Sequence, residues 1–408
     1  MAEVEKHRPV SVDFVEIDPE ITKVLFRFRL MKKIPGLNII NQDARAWLTE
    51  TARLYDAVIV NLPEPETFQI NRIFTDRFFE LTRTHLTSGG VLSFSVEGYE
   101  NYIAEPLRRK VSSLYNTVSR YFRYYVLLPG KKIFFLCSNR KLETDIPRLL
   151  SEKGIDAWYV NNFFYGNLTA ERISSLNRAL LPDAPLNLDE KPQLIRIMFS
   201  QWFYRFGSSP AVFIWVLAVS FVYYITRLSR EEFLLFSTGC MTLGSELLVI
   251  FAFQIFYGYI YFQIGIIVTV FLAGLLPGAW LGSRLIQRGR KYLAAADILL
   301  AVSMGLMIVC VKMFGDGLPV SFFLVFGFSV AVLCGFQFPV ALHLREMEGP
   351  AAARIFSADL MGAGFGTLIT STVLIPYLGI IWAAASLIVL KLMSFAIINV
   401  EKMQVQQT

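Results

Sequence analysis

The chain predicts a doubly wound α/β soluble half fused to an all-α polytopic transmembrane bundle, and three observations carry that expectation. Of its 408 residues 54% are hydrophobic and the mean hydropathy is +0.47, too apolar for an ordinary soluble protein. The charge is unevenly spread: residues 1–206 hold 28 basic and 24 acidic side chains, and residues 207–408 only 11 and 9. Short apolar runs alternate with helical patterns in the first half, whereas segments long enough to cross a bilayer follow one another in the second. The predicted organisation is therefore an α/β domain over 1–206, a helical membrane domain over 207–400 and a polar tail over 401–408.

Taken in order, residues 11–17 read as a strand, Glu20 to Met31 as a basic helix, and Leu37 to Asn41 as a second strand running into the helix that opens with "DARAWL". "YDAVIVNLPEP" gives a third strand, Ala57 to Val60, buried on both faces and closed by a Pro-rich loop. Phe74 to Thr84 reads as a helix, and "SGGVLSFSV" as a turn feeding a fourth strand. Strands alternating with helices predict a parallel-rich sheet over 8–140, and such sheets bind ligands beyond the carboxyl ends of their strands. Glu16, Asp43 and Asn61 all stand at such ends. An acid in that position serves equally as a helix N-cap, so each has a bland reading beside the functional one.

Seven apolar segments follow, over 210–226, 232–256, 259–283, 293–313, 318–342, 353–376 and 379–398. Gly274, Gly278 and Gly282 form a repeated GxxxG, and Ala358, Gly362 and Gly366 a second small-residue ladder, both suited to close helix packing. Glu246, Asp297 and Asp359, with Gln254, Gln263 and Gln337, are costly in lipid and are expected to face the bundle interior. They suit either a transport path or interhelical hydrogen bonding. The net charge of +6 is scattered, which argues against nucleic acid as a partner. The four cysteines and three histidines have no metal-ligand or disulfide spacing, so no metal is expected. The stretch before residue 11 is polar and does not read as a signal peptide.

Several motifs in one order resemble the spermidine synthases, specifically their bacterial membrane-fused branch. They are "VEIDPE" (15–20), "DAR" (43–45), "YDAVIVNLPEP" (55–65), "LTSGGVLSF" (86–94) and "NLDEKP" (187–192). The second half adds "GSELLVIFAFQIFYGYIY" (244–261), "FLAGLLPGAWLGSRL" (271–285), "GFQFPVAL" (335–342) and "IFSADLMGAGFGTLIT" (355–370). The resemblance implies a Rossmann-like domain of the spermidine synthase/methyltransferase type that transfers an aminopropyl group from decarboxylated S-adenosylmethionine to a diamine such as putrescine. It implies that Glu16, with Asp18 beside it, binds the ribose hydroxyls, and that Asp43 and Ala44 meet the adenine. Asn61 stands at the family's catalytic Asp position and Glu64 at a second acid before Pro65.

The chain also departs from the family. "AEVEKH" (2–7) reads as the tail of the short helix that follows the family's first strand, so that strand and its Gly-rich loop are expected upstream of Met1, on a preceding polypeptide. Asn61 cannot accept a proton, Glu64 replaces Asp, and "YYVLLPGKKIFFLCS" (124–138) lacks the family's Tyr-rich loop. Three functions stay open: a membrane-anchored aminopropyltransferase, a non-catalytic binding or assembly module, and a polyamine or cation transporter. Whichever holds, the expected setting is a bilayer, as a multi-pass protein of the bacterial inner membrane, with a homo-oligomer as one form. Basic residues gather in the first, third and fifth connections (Arg227, Arg230; Arg284, Arg288, Arg290, Lys291; Arg345, Arg354), which the positive-inside rule makes cytoplasmic.

Overall fold

The structure, a computed structural model, describes all residues except 33, 259–260, 287–288, 347–351 and 406–408. Arg288 and the start of the 259–283 segment therefore lie outside the described residues. The chain forms two compact units, Met1–Met198 and Phe199–Thr408.

The first unit opens with α1 (Ala2–Glu5), β1 (Val12–Val15), α2 (Pro19–Arg27), β2 (Leu37–Ile40), α3 (Ala44–Glu50) and β3 (Tyr55–Val60). It continues through α4 (Phe68–Asn71), α5 (Asp76–Thr84), β4 (Leu86–Glu97), α6 (Glu105–Val118), β5 (Tyr124–Leu128) and β6 (Lys132–Ser138). Four helices follow: α7 (Ile146–Glu152), α8 (Trp158–Asn167), α9 (Ala170–Ala179) and α10 (Gln193–Arg205). β1 pairs with β2 in parallel as a two-stranded sheet, and β3-β4-β6-β5 make a four-stranded one. β3 and β4 are parallel, but β6 runs antiparallel to both β4 and β5. The expected single parallel-rich sheet is thus corrected to two sheets, the larger ending in an antiparallel hairpin. The turn read at "SGG" is absorbed into β4. There the register with β3 slips between Tyr55 and Ala57, and the backbones come close enough that a Cβ on Gly90 would lie 2.9 Å from the Tyr55 carbonyl oxygen.

Strand β4 alternates strictly, sending Leu92, Phe94 and Val96 into the core. Phe94 stacks on Phe135 at 4.6 Å and on Phe79 at 5.3 Å, joining β4, β6 and α5. β3 does not share this enclosure. Ile59 is 66% exposed, so the expectation that β3 is buried on both faces is wrong. β3 pairs only with β4 and β1 only with β2 among the described residues, which leaves one edge of each without a backbone partner.

The second unit is helical: α11 (Pro210–Ile225), α12 (Arg230–Tyr257), α13 (Tyr261–Arg284), α14 (Gly289–Phe314), α15 (Val320–Glu346), α16 (Ala352–Ile369) and α17 (Ile380–Val405). α16 widens into π-helical turns over Thr370–Leu378 that end at Gly379, whose φ of 84° stops the helix. Among the described residues six helices are long and apolar enough to cross a membrane, and a seventh span arises if α10 and α11, bent by 98°, count as one broken span. Both small-residue ladders lie at close helix contacts. A Cβ on Gly278 would fall 2.2 Å from the Val332 carbonyl oxygen, and one on Gly362 2.0 Å from that of Phe236, so α13 packs on α15 and α16 on α12 backbone to backbone.

Of the polar residues expected inside, Asp297 and Gln337 are fully buried, whereas Glu246, Gln254, Gln263 and Asp359 are only half-buried. Cys240 and Cys334 are buried in apolar surroundings, as is Cys137 in the first unit, while Cys310 is half-buried. At one end of the bundle Ser229 and Glu232 form a capping box on α12, and Arg354 pairs with Glu232 at 3.0 Å. The amino-terminal turns of α12 and α16 therefore meet at that end.

Candidate active site

The carboxyl ends of β1, β2 and β3 carry the residues of interest. The Glu16 N–H donates to the Ile40 carbonyl at 3.0 Å, which continues the β1–β2 ladder and sets the Glu16 side chain just beyond the strand. Its Oε1 accepts from the Asp18 N–H at 3.1 Å, leaving Oε2 with no described partner. Asn41 Nδ2 ties the Glu16 carbonyl at 3.2 Å to Thr22 Oγ1 at 2.9 Å, so the strand end is fixed to α2. Asp18 is the N-cap of α2, where its Oδ1 accepts from the Glu20 N–H at 2.8 Å and Pro19 supplies the helical φ.

Asp43 is also an N-cap. Its Oδ1 accepts from the N–H groups of Arg45 at 3.0 Å and Ala46 at 3.1 Å, and its Oδ2 pairs with Arg72. An ionised carboxylate offers about four acceptor positions, so these three leave room for one further donor. Ala44, the first residue of α3, lies half-buried beside it.

Asn61 follows β3 directly and is exposed. Glu64 is committed elsewhere. Its Oε2 accepts from Lys110 at 2.7 Å and its Oε1 from the Glu97 N–H, so the loop after β3 is tied to α6 and β4. Lys110 is only 1% exposed, and this pairing is what makes its burial tolerable.

Beneath the strand ends runs a charged network that the motif reading did not assign. Arg45 makes a bidentate pair with Asp189 at 3.0 and 2.8 Å, and Thr75 Oγ1 donates to the same Asp189 Oδ1 at 2.6 Å. Burial draws the Arg72 guanidinium below its ordinary value, against the opposing pull of Asp43. Burial likewise raises Asp76, with the nearby Asp189 charge adding to it. The signal was present in "DAR" and "NLDEKP", which hold Arg45 and Asp189, yet nothing in their spacing says that residues so far apart in sequence meet.

Between the unpaired edges of β1 and β3 the only described links are side chains at their amino-terminal ends. Asp13 of β1 accepts from Tyr55 Oη at 2.8 Å and from Arg53 at 2.7 and 3.0 Å, as well as from Asn38 on β2 at 2.8 Å. Burial pushes the Asp13 carboxyl upward, but the hydrogen bonds from Asn38, Tyr55 and Arg53 outweigh it and hold the group below its usual value. A tyrosine side chain, not a backbone bond, spans this distance.

The spermine/spermidine synthase domain model matches residues 1–146. Polyamine aminopropyltransferase 1 of Streptomyces coelicolor is 32% identical over 98 residues, covering 22% of this chain and 18% of that protein. The polyamine aminopropyltransferase of Leptospira interrogans is 30% identical over 98 residues, covering 22% and 20%. The match thus spans about a fifth of the length of these curated relatives. Among solved structures, a probable spermidine synthase from Corynebacterium glutamicum aligns with a TM-score of 0.28 at 16% identity, over 38% of this chain and 61% of that one. Human methyltransferase-like protein 13 in complex with SAH aligns with a TM-score of 0.29 at 18% identity, over 35% and 68%. The likeness to the spermine/spermidine synthase family thus lies in the first 146 residues.

Proposed function

We propose that this domain binds the nucleoside part of decarboxylated S-adenosylmethionine and belongs to a centre that transfers its aminopropyl group to a diamine such as putrescine, in a multi-pass protein of the bacterial inner membrane. The observation that carries the reading is the position of Glu16, Asp43 and Asn61 at the carboxyl ends of β1, β2 and β3, where open α/β sheets bind ligands. Glu16, with Oε2 unengaged, suits a ribose diol, which donates two hydrogen bonds to one carboxylate. Asp43 keeps one acceptor position for an adenine amino group beside Ala44, while Asp18 holds α2 so that Glu16 stays in place.

In the transfer, the amine nitrogen forms a bond to the methylene next to the sulfonium. The carbon–sulfur bond breaks, and methylthioadenosine leaves with the electron pair. The attacking amine must first lose a proton, and its unperturbed pKa lies near that of lysine, about 10.4. Asn61 can aim the amine through its amide oxygen but cannot take that proton. Glu64 stands near enough in sequence to help, yet it holds Lys110 and the Glu97 N–H. The open edges of β1 and β3 suit one intervening parallel strand, supplied by a preceding polypeptide segment or a second copy, whose following loop would cover the methionine-derived part of the substrate.

The chain by itself is therefore a poor transferase, and the non-catalytic reading shares its main support, Asn61. The discriminating assay follows methylthioadenosine release from decarboxylated S-adenosylmethionine and putrescine. Asn61→Asp, in a chain extended by such a strand, should raise turnover by about 10²–10⁴. Robust turnover by the unmodified chain, insensitive to Glu16→Gln, would overturn the reading.

A further inference from the structure

The second unit encloses an ammonium group in a cage of oxygens. Lys391 Nζ on α17 lies 3.2 Å from Ser237 Oγ and 2.8 Å from Thr238 Oγ1 on α12. It also lies 3.0 Å from Asp297 Oδ1 on α14 and 3.0 Å from Gln337 Oε1 on α15. Lys391, Asp297, Gln337 and Ser237 are all 0% exposed. Gln337 is held in the orientation that turns its oxygen to the ammonium, because its Nε2 donates to Asp297 Oδ1 at 2.7 Å. An ammonium has three protons to give, and here four oxygens from three helices surround it.

Stability alone does not call for this arrangement. Two charges taken into an apolar interior lose hydration that their attraction barely repays, and apolar side chains of similar volume do as well or better. Ionisable groups in such bundles sit where ligands or ions pass. A second feature points the same way. Asp297 Oδ2 is buried and has no hydrogen-bond partner, so the carboxylate has an acceptor unused inside the cage. A second carboxylate, Asp359 on α16, is close enough to interact with Lys391 electrostatically.

We propose that the cage is a binding site for a primary alkylammonium, and that Lys391 is its tethered resident occupant. The lysine head is itself a primary alkylammonium, so the cage already displays the recognition chemistry. An incoming ammonium first engages Asp297 Oδ2 and then takes the place of Lys391, whose head is left to Asp359. With Asp359 holding the displaced Lys391 head, any second ammonium of the ligand is left to water, and the enclosed cage favours a slender alkylammonium over a bulky cation. A quaternary ammonium has no N–H to donate and does not compete.

The test is equilibrium binding of radiolabelled 1,4-diaminobutane to the purified full chain in detergent. Saturable binding is expected. It should be lost in Asp297→Asn, which keeps the shape and a hydrogen bond to Gln337, and strengthened at least ten-fold in Lys391→Met, where the tethered competitor is gone. Tetramethylammonium should not displace the label. No saturable binding in either the wild-type chain or a folded Lys391→Met chain would overturn the proposal, as would binding indifferent to Asp297→Asn. If Lys391→Met does not fold, the comparison of wild type with Asp297→Asn decides alone. Because the readout is amine binding and not transfer, a negative result leaves the aminopropyl-transfer reading untouched. Methylthioadenosine binding on the same preparations reports on that reading separately.

Discussion

Glu16 and Asp297 are both carboxylates set among apolar segments, and the two units treat them differently. Glu16 stands half-buried past a strand end, with one oxygen on a backbone N–H and the other without a described partner. Asp297 is fully enclosed against a lysine, a glutamine and two hydroxyl-bearing neighbours of that lysine. The first unit leaves its acids at the rim of an open sheet. The second has sealed its chemistry around a resident cation. A rim of acids at strand ends can receive a ligand directly, whereas a sealed cage binds only by exchange.

The largest effect that would sharpen this contrast lies beneath the rim. Asp189→Ala leaves Arg45, 2% exposed, without its bidentate partner, and should cost the first unit about 3–5 kcal/mol in denaturant unfolding. A loss under about 1 kcal/mol would mean that the network is not the foundation of the site.

Next comes the helix packing that seals the second unit. Gly362→Leu places side-chain atoms where a Cβ alone would come within 2.0 Å of the Phe236 carbonyl oxygen. A loss of about 1–3 kcal/mol, or failure to fold in detergent, is expected. Unchanged thermal stability would show that α12 and α16 are not in backbone contact.

A smaller effect concerns pH. The Asp13 carboxyl is held below its ordinary value of 3.8, so its contribution to stability is present above that value and fades as the pH falls through the folded-state value. Asp13→Asn should lower stability at neutral pH and remove part of the acid dependence. A variant whose stability falls with acid as steeply as the wild type would contradict the assignment.

The smallest effect tests the exposed face of β3. Ile59→Thr, at a side chain 66% exposed, should change stability by less than about 0.5 kcal/mol. A cost above about 1.5 kcal/mol would mean that something already covers this face.

Much of the first unit was legible because strand periodicity and helix caps are local signals. The β1–α2–β2 order, the cap at Asp43 and the two glycine ladders follow from residues near one another in sequence. The antiparallel hairpin β5–β6 was missed because "YYVLLPGKKIFFLCS" was weighed only for a missing loop, though its Pro-Gly turn between apolar runs is a hairpin signal. Exposure of Ile59 was not legible at all. An apolar run reads as buried whether or not its sheet face is covered. The Glu64–Lys110 and Arg45–Asp189 pairs join residues 46 and 144 positions apart, and only the fold brings them together. Lys391 did carry a signal, a lone lysine in the middle of the last apolar segment, and its neighbours Asp297 and Gln337 were singled out without it.

The measurement that bears most directly on the rim site is calorimetric binding of methylthioadenosine to the full chain, wild type against Glu16→Gln. Saturable binding that weakens at least ten-fold in the variant is expected, since a hydrogen bond to a charged acceptor is worth about 1.5–3 kcal/mol. Equal affinity in the two chains, or no binding in either, would contradict a nucleoside site at the ends of β1 and β2.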